Sequence, residues 1–123
     1  MLFRSYGKRD PNFEFGTNPC SEIVLRPYQF CNLTEVMVRP DDTLETLKQK
    51  VRMAAVLGTI QATFTHFPYL RKVWQRNTEE ERLLGVSLTG IYDHEVMGSS
   101  RSAPLWLDQL RVVANEEIGR AHV

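Results

Sequence analysis

Apolar residues recur with two different periods along the chain, and each period predicts its own kind of element. Residues 30–38 alternate in the manner of a strand, with Cys31 and Leu33 on one face. Residues 84–91 are rich in β-branched side chains and carry two glycines, which is typical of a buried strand. A shorter apolar stretch at 23–25 precedes both. The pattern therefore predicts two buried strands far apart in the chain.

Between these strands, spacings of three and four predict a long helix over residues 43–64. Asp42 followed by Glu45 has the spacing of a capping box at its start. Small residues late in the apolar stripe predict close packing against a sheet or another helix. The stripe comprises Leu44, Leu47, Val51, Ala55, Gly58 and Ala62.

Three further helices are expected after the long one. A short helix is predicted over residues 69–75, and Thr78 with Glu81 predicts a second capping box and a new helix start. Ser102 is expected to cap a last helix. The order of strand, helix, helix, strand and helix indicates an α/β fold. Two or three strands are too few to close a sheet, so we interpret the chain as a slice of something larger.

Composition and charge exclude several classes of protein. The 123 residues include 15 basic and 15 acidic ones, so the balance gives no reason to expect nucleic acid or an anionic membrane as a partner. No apolar run approaches the roughly 20 residues that cross a bilayer. Two cysteines are too few for a disulfide scaffold, which favours a reducing, cytoplasmic setting. We expect Arg26, Arg39, Arg71 and Lys72 to lie on a solvated face, and we expect the charges around His94 to be exposed on a loop.

The two cysteines lie in the segments with the richest chemistry. Cys20 stands in Asn-Pro-Cys-Ser-Glu at residues 18–22, and Cys31 follows eleven positions later. Pro19 fixes its own φ and keeps Asn18 out of the helical region, so we expect Cys20 on a defined turn. A thiol, an amide and a carboxylate at this spacing can converge on one small substrate, with Glu22 as a general base. A second thiol can supply reducing electrons if a partner cysteine stands nearby.

Plainer interpretations of the cysteines remain open at this point. A cysteine is often a small buried apolar group, and two can form a disulfide. Zinc would need further ligands from His66, His94 or carboxylates, and none has ligand spacing to the cysteines. The residues alone therefore leave a structural pair and a reactive pair as alternatives.

The motifs resemble those of one enzyme family. Asn-Pro-Cys-x-Glu-Ile from residue 18 and Phe-Cys-Asn-Leu-Thr-Glu-Val from residue 30 resemble the finger-loop region of adenosylcobalamin-dependent ribonucleoside-triphosphate reductases. Residues 78–91 are similar to a downstream segment of the same family, so the resemblance covers most of residues 6–92. Ser21 departs from the glycine that many members carry there. The resemblance implies a partial slice of a ten-stranded α/β barrel with its finger loop.

The resemblance also implies a role for each matching residue. Cys20 would carry a thiyl radical that takes the ribose 3′ hydrogen, and Glu22 would accept the 3′ hydroxyl proton. Asn18 would bind the ribose hydroxyls and position Glu22. Cys31 would be one half of a redox pair whose partner lies outside this chain. Adenosylcobalamin would be the cofactor, a ribonucleoside triphosphate the substrate, and thioredoxin or a similar dithiol the reductant.

Two other functional hypotheses are kept beside this one. The first is the large subunit of an iron-dependent ribonucleotide reductase, which shares Asn-x-Cys-x-Glu but usually places its next redox cysteine farther along. The second is a non-enzymatic α/β binding module with structural cysteines. Residues 1–5 and 118–123 resemble a translated sequencing adapter, so we interpret them as non-native tails around a barrel fragment at residues 6–117. The fragment alone is expected to be inactive and to expose apolar surface.

Overall fold

The computed structural model describes residues 9–121, which form a mixed α/β arrangement. The predicted order of strand, helix, helix, strand and helix is confirmed, and a small hairpin precedes it. The elements are β1 (Gly16–Thr17), β2 (Val24–Leu25), β3 (Asn32–Met37), α1 (Leu44–Gln61), α2 (Lys72–Glu81), β4 (Leu84–Thr89), a single 3-10 turn (Ile91–Asp93) and α3 (Ala103–Ala121).

The structure describes only part of the two segments that we interpret as non-native tails. Residues 1–5 lie outside the described residues, and so do the last two of residues 118–123. The remaining four of that second tail continue α3 as regular helix. A foreign sequence can also be helical, so the non-native origin of both tails stays a prediction.

The strands form two separate pairs. β1 and β2 are antiparallel, with Gly16 opposite Leu25. β3 and β4 are parallel and in register from Asn32 opposite Leu84 to Met37 opposite Thr89. Parallel neighbours require a crossover connection, and α1 and α2 provide it. Two pairs of strands within residues 9–121 do not enclose a barrel, so the barrel stays a prediction.

The core lies where α1 meets the β3–β4 sheet and α3. Its buried members are Val36, Val38, Leu47, Val51, Ala54, Met97, Leu110, Val113 and Ala114. The predicted stripe of α1 is confirmed, because Leu47, Ala55 and Gly58 are buried. A Cβ added at Gly58 would lie 3.6 Å from the Leu84 side chain, so this small residue allows the helix to approach the sheet closely.

The start of α1 differs from the prediction by one residue. Thr43, not Asp42, is the N-cap: its hydroxyl accepts from the Thr46 N–H at 3.2 Å, and the Thr46 hydroxyl accepts from the Thr43 N–H at 2.9 Å. Asp42 instead accepts from Lys50 at 2.5 Å and from the Arg39 N–H at 2.8 Å. Asp42 and Thr43 are neighbours, and both residue types can cap a helix, so the loop conformation determines which one does so.

The predicted capping box of Thr78 and Glu81 is wrong. Both residues lie in the last turns of α2, which begins at Lys72, and the Thr78 hydroxyl donates to the Trp74 carbonyl at 2.8 Å. The helix ends after Glu81, where Arg82 adopts a left-handed conformation with φ 45°. The expected short helix and the expected new helix are thus one element. A hydroxyl and a carboxyl residue three positions apart also occur inside helices, so this motif alone does not identify the start of a helix.

The predicted cap of the last helix is not confirmed. Ser102 directly precedes α3, but its hydroxyl donates to the Val96 carbonyl at 2.9 Å instead of accepting from an N–H of the helix. β4 ends at Thr89, and the following Gly90 has a φ of 76°. A Cβ at Gly90 would lie 2.5 Å from the Val38 carbonyl oxygen. This position therefore requires glycine.

Apolar surface is exposed on helices and strands, as expected. Exposed apolar side chains on β3 and on or just beyond α1 include Leu33, Met37, Met53, Leu57, Ile60 and Phe64. Part of this surface lines an open groove of about 650 Å³ between β3 and α1. Among the described residues, no helix combines the length and apolarity needed to span a membrane.

Candidate active site

The turn between β1 and β2 carries Cys20 at its tip. The Ser21 N–H donates to the Asn18 carbonyl at 2.9 Å, and the Asn18 N–H donates to the Ile23 carbonyl at 3.2 Å. Ser21 has a φ of 64°, which closes the turn but is costly for a residue other than glycine. Cys20 is exposed and follows Pro19 directly. The prediction that this cysteine lies on a defined turn is confirmed.

Asn18 and Glu22 are joined across the base of this turn. Asn18 Nδ2 donates to Glu22 Oε1 at 2.5 Å, while Asn18 Oδ1 accepts from the Ile23 N–H at 3.0 Å. Because the amide is held at both ends, it fixes the orientation of the carboxylate. Glu22 Oε2 is buried and has no hydrogen-bond partner among residues 9–121. A buried acceptor without a partner is uncommon in folded proteins and is available to a ligand or a proton.

Cys31 lies one residue before β3 and is half-buried. Burial raises the pKa of its thiol to about 11, and the negative charge of Glu22 contributes to that rise. At neutral pH Cys31 is therefore a protonated thiol, able to donate hydrogen rather than to act as a thiolate.

The structure joins two of the four predicted site residues directly. Asn18 and Glu22 are hydrogen-bonded, Cys20 is exposed at the tip of the same turn, and Cys31 lies in the next segment, directly before β3. Both cysteines are free thiols. Within the described range, neither a disulfide nor a hydrogen bond joins Cys20 to Glu22 or Cys31. The four residues also lie outside the groove beside α1 and outside a second groove of about 450 Å³ beneath the hairpin.

An ion-pair cluster behind the hairpin was missed by the sequence analysis. Glu81 accepts from Arg9 at 2.8 and 2.7 Å and also accepts from Gln29. Burial raises the pKa of Glu81, but the hydrogen bonds from Arg9 and Gln29 outweigh it, and the net pKa is lowered. Asn77 on the same helix donates to the Pro27 carbonyl at 2.9 Å. These contacts fasten the end of α2 to the residues around β2.

Arg26 corrects the prediction of a solvated basic face. Its side chain is buried, pairs with Glu80 at 2.5 Å and lies 3.5 Å from Glu81. Its guanidinium carbon also lies 3.8 Å from the centroid of the Phe13 ring. The other three basic residues of that prediction, Arg39, Arg71 and Lys72, are exposed as expected. The partners of Arg26 on α2 are more than 50 positions away, so no local pattern could reveal its burial.

His94 is likewise buried, against the expectation of an exposed loop. Its Nε2 lies 2.7 Å from the Asp42 carbonyl oxygen, and its Nδ1 accepts from the Val96 and Met97 N–H groups, each at 3.1 Å. Because Nδ1 accepts two hydrogen bonds, the ring proton is on Nε2, which donates a hydrogen bond to the Asp42 backbone carbonyl. The ring packs 5.3 Å from that of Trp106. His94 is thus a structural link between the loop after β4 and the start of α1.

Metal binding gains no support from the side chains in view. Among residues 9–121, no group of three or more His, Cys, Asp or Glu side chains is placed to hold an ion. The chemistry that the described residues offer is that of the turn: an exposed thiol, a carboxylate held by an amide, and a protonated second thiol. Fold and site together define a mixed α/β protein with a cysteine-bearing loop.

Comparison with known proteins identifies the family. The chain is 38% identical over 93 residues to the adenosylcobalamin-dependent ribonucleoside-triphosphate reductase of Lacticaseibacillus paracasei, covering 73% of this chain and 12% of that protein. It is 40% identical over 104 residues to the reductase of the same name from Lactobacillus acidophilus, covering 75% and 13%. The corresponding reductase of Lactobacillus helveticus is 33% identical over 100 residues, again covering 75% and 13%. The chain is therefore homologous to a segment of these reductases, and the resemblance read from the sequence is confirmed.

The chain spans about an eighth of the length of the curated relatives that it matches. No family model and no solved structure gives a match to it.

Proposed function

We propose that residues 6–117 are a segment of the catalytic barrel domain of an adenosylcobalamin-dependent ribonucleotide reductase. The β1–β2 turn is the finger loop, and β3, α1, α2, β4 and α3 are a slice of the ten-stranded α/β barrel. The parent protein converts ribonucleoside triphosphates to 2′-deoxyribonucleotides in the cytoplasm, and it needs neither nucleic acid nor a membrane as a partner. The observation that carries the proposal is the amide-held Glu22 directly behind the exposed Cys20 turn.

Cys20 and Glu22 act on neighbouring positions of the ribose. The Cys20 thiyl radical takes the 3′ hydrogen atom and becomes a thiol. The unpartnered oxygen of Glu22 accepts the proton of the 3′ hydroxyl. The 2′ hydroxyl then leaves as water after it takes a proton from the redox dithiol, whose remaining hydrogen and electron reduce the sugar. A general base needs a free acceptor within reach of the proton, and Glu22 Oε2 meets the first requirement.

Asn18 and Cys31 complete the site. Asn18 orients Glu22 and is placed to contact the ribose hydroxyls. Cys31 and a partner cysteine outside this chain give up two hydrogen atoms and form a disulfide, which thioredoxin or a similar dithiol then reduces. The raised pKa of Cys31 keeps its hydrogen in place until that step.

Adenosylcobalamin, named in the relatives, supplies a carbon-centred radical when it is bound. No described residue of this chain is assigned to hold it. Cys20 is exposed at the tip of the turn, so its sulfur is open to a radical source outside the segment. The chain by itself is expected to be inactive, because it lacks the partner cysteine.

A chimaera tests these roles. Residues 9–117 of this chain replace the corresponding segment of the Lacticaseibacillus paracasei reductase, and nucleotide reduction is measured with adenosylcobalamin and a dithiol. We expect activity in the chimaera and a loss of about 1,000-fold or more on Cys20→Ser, because a hydroxyl does not replace a thiol as a radical carrier. Thr17→Ser, on the adjacent exposed strand, is the matched control and should retain activity.

The full-length parent protein separates the two reductase classes, and the chimaera separates an enzyme from a binding module. Activity of the parent that requires a second, iron-containing subunit in place of adenosylcobalamin would favour the iron-dependent class. Retained activity in Cys20→Ser together with lowered stability would favour a module with structural cysteines and would refute the proposal.

A further inference from the structure

One guanidinium group, that of Arg9, joins the hairpin to the end of α2. Its Nε and Nη2 donate to the two Glu81 carboxylate oxygens at 2.8 and 2.7 Å, and its Nη1 donates to the Val24 carbonyl of β2 at 2.7 Å. The same group lies 4.5 Å from the centroid of the Phe15 ring, one residue before β1. Arg9 therefore contacts both sides of the hairpin and the helix at once.

The environment of this pair makes the contact directional and costly to break. The side chains of Arg9 and Glu81 are only 9% and 10% exposed. A two-pronged guanidinium–carboxylate contact fixes angles as well as distance. A lysine keeps the charge but lacks the planar fork, so it cannot satisfy Glu81 and the Val24 carbonyl together.

The contact at Val24 lies close to the site along the chain. Val24 follows Ile23, whose N–H donates to Asn18 Oδ1, and Asn18 in turn holds Glu22. A displacement of β2 would therefore move Glu22 relative to Cys20 on the turn and relative to Cys31, which belongs to the next segment.

We propose that Arg9 is a positioning residue that holds the Cys20 turn against the end of α2 through Glu81 and the Val24 carbonyl. The proposal rests on the roles proposed above for Cys20 and Glu22. It adds a residue outside the motif, nine positions before Asn18, whose effect on the reaction is exerted through the hairpin.

Arg9→Lys in the chimaera tests the proposal, with Arg76→Lys on the exposed part of α2 as the matched control. We expect Arg9→Lys to lower kcat by about 100-fold, the scale of a small misplacement of reacting groups, and to change KM by less than about threefold. Arg76→Lys should leave both unchanged. Wild-type kcat in Arg9→Lys would overturn the proposal, because charge alone would then suffice.

Hydrogen exchange of the same chimaera separates a positioning role from a role in folding. Peptides covering residues 14–25 should exchange faster in Arg9→Lys, while those covering β3 and α1 stay unchanged. Faster exchange throughout β3 and α1, or unchanged exchange in the hairpin, would refute the positioning role. The readout is independent of chemistry: if the chimaera were inactive or Cys20→Ser stayed active, the proposed function would fail while the exchange data still decided the anchoring by Arg9.

Discussion

The β1–β2 hairpin and the unit formed by β3, α1, β4 and α3 are held in place by different forces. In the unit, Leu47 and Val38 are almost completely buried among apolar neighbours. The hairpin has only two residues in each strand, and Arg9, Arg26 and Glu81 fasten it to α2. Apolar burial is non-directional, whereas guanidinium–carboxylate contacts define angles. The stability of the unit therefore depends on the apolar volume that it buries. The position of the hairpin depends on a few hydrogen-bonded ion pairs.

This difference determines how each region should fail. Removing apolar volume from the unit leaves a cavity and weakens the whole fold. Removing one member of a buried ion pair leaves an unpaired charge at one place, so the damage is concentrated in the hairpin. The following predictions test that contrast, beginning with the largest effect.

Leu47→Ala should destabilise the unit by about 2–5 kcal/mol, since Leu47 is fully buried in the core and its loss creates a cavity. Leu57→Ala on the same helix is the matched control, because Leu57 is 57% exposed, and it should change stability by less than about 0.5 kcal/mol. Chemical denaturation of the 123-residue chain, followed by circular dichroism, measures both. Equal losses for the two variants would contradict the assignment of the core.

Cys31 should resist alkylation in the folded protein. With its pKa raised to about 11, far less thiolate is present at pH 8 than for an ordinary cysteine, whose pKa is about 8.5. We expect iodoacetamide to modify Cys31 on the order of 100-fold more slowly in the folded chain than in denaturant. Mass spectrometry of peptides gives the rate. Equal rates in the folded and unfolded chain would contradict the burial of this thiol and its raised pKa.

Acid should loosen the hairpin through Glu81. Its folded pKa is lowered, so its stabilising contribution is complete above the unfolded value of about 4.3 and is lost as the pH falls through the folded pKa. The groups that face this carboxylate are Arg9, Arg26 and Gln29. The fluorescence of Trp74, measured in a Trp106→Phe background, should report the transition. The same measurement on Glu81→Gln should show a smaller acid transition, and an identical one would contradict the assignment.

Ser21→Gly should have the smallest effect. The φ of 64° is strained for serine and free for glycine, while glycine also increases the entropy of the unfolded chain. These effects oppose each other, so we expect a net stabilisation below about 1 kcal/mol and unchanged activity in the chimaera. Thermal denaturation measures the first and nucleotide reduction the second. A marked loss of activity would indicate that the Ser21 side chain itself takes part in the site.

The sequence by itself determined the elements whose cause is local. The stripe through Leu47, Val51 and Gly58 predicted α1, because helical periodicity depends on neighbours three and four residues apart. Alternation and β-branched residues predicted β3 and β4 within a few residues of their bounds. Pro19 and the motif around it predicted the Cys20 turn, and the motif also identified the family.

Only the tertiary structure decided which polar groups are buried and paired. Arg26 and Glu81 appeared to belong to a solvated face and to a helix start, but they meet behind the hairpin from positions more than 50 residues apart. His94 appeared to be a loop charge but reaches the Asp42 carbonyl. The physical reason is that a buried polar side chain is stabilised by the partner that the fold brings close to it. Such a partner can lie anywhere in the sequence, so no periodic pattern of residues predicts it.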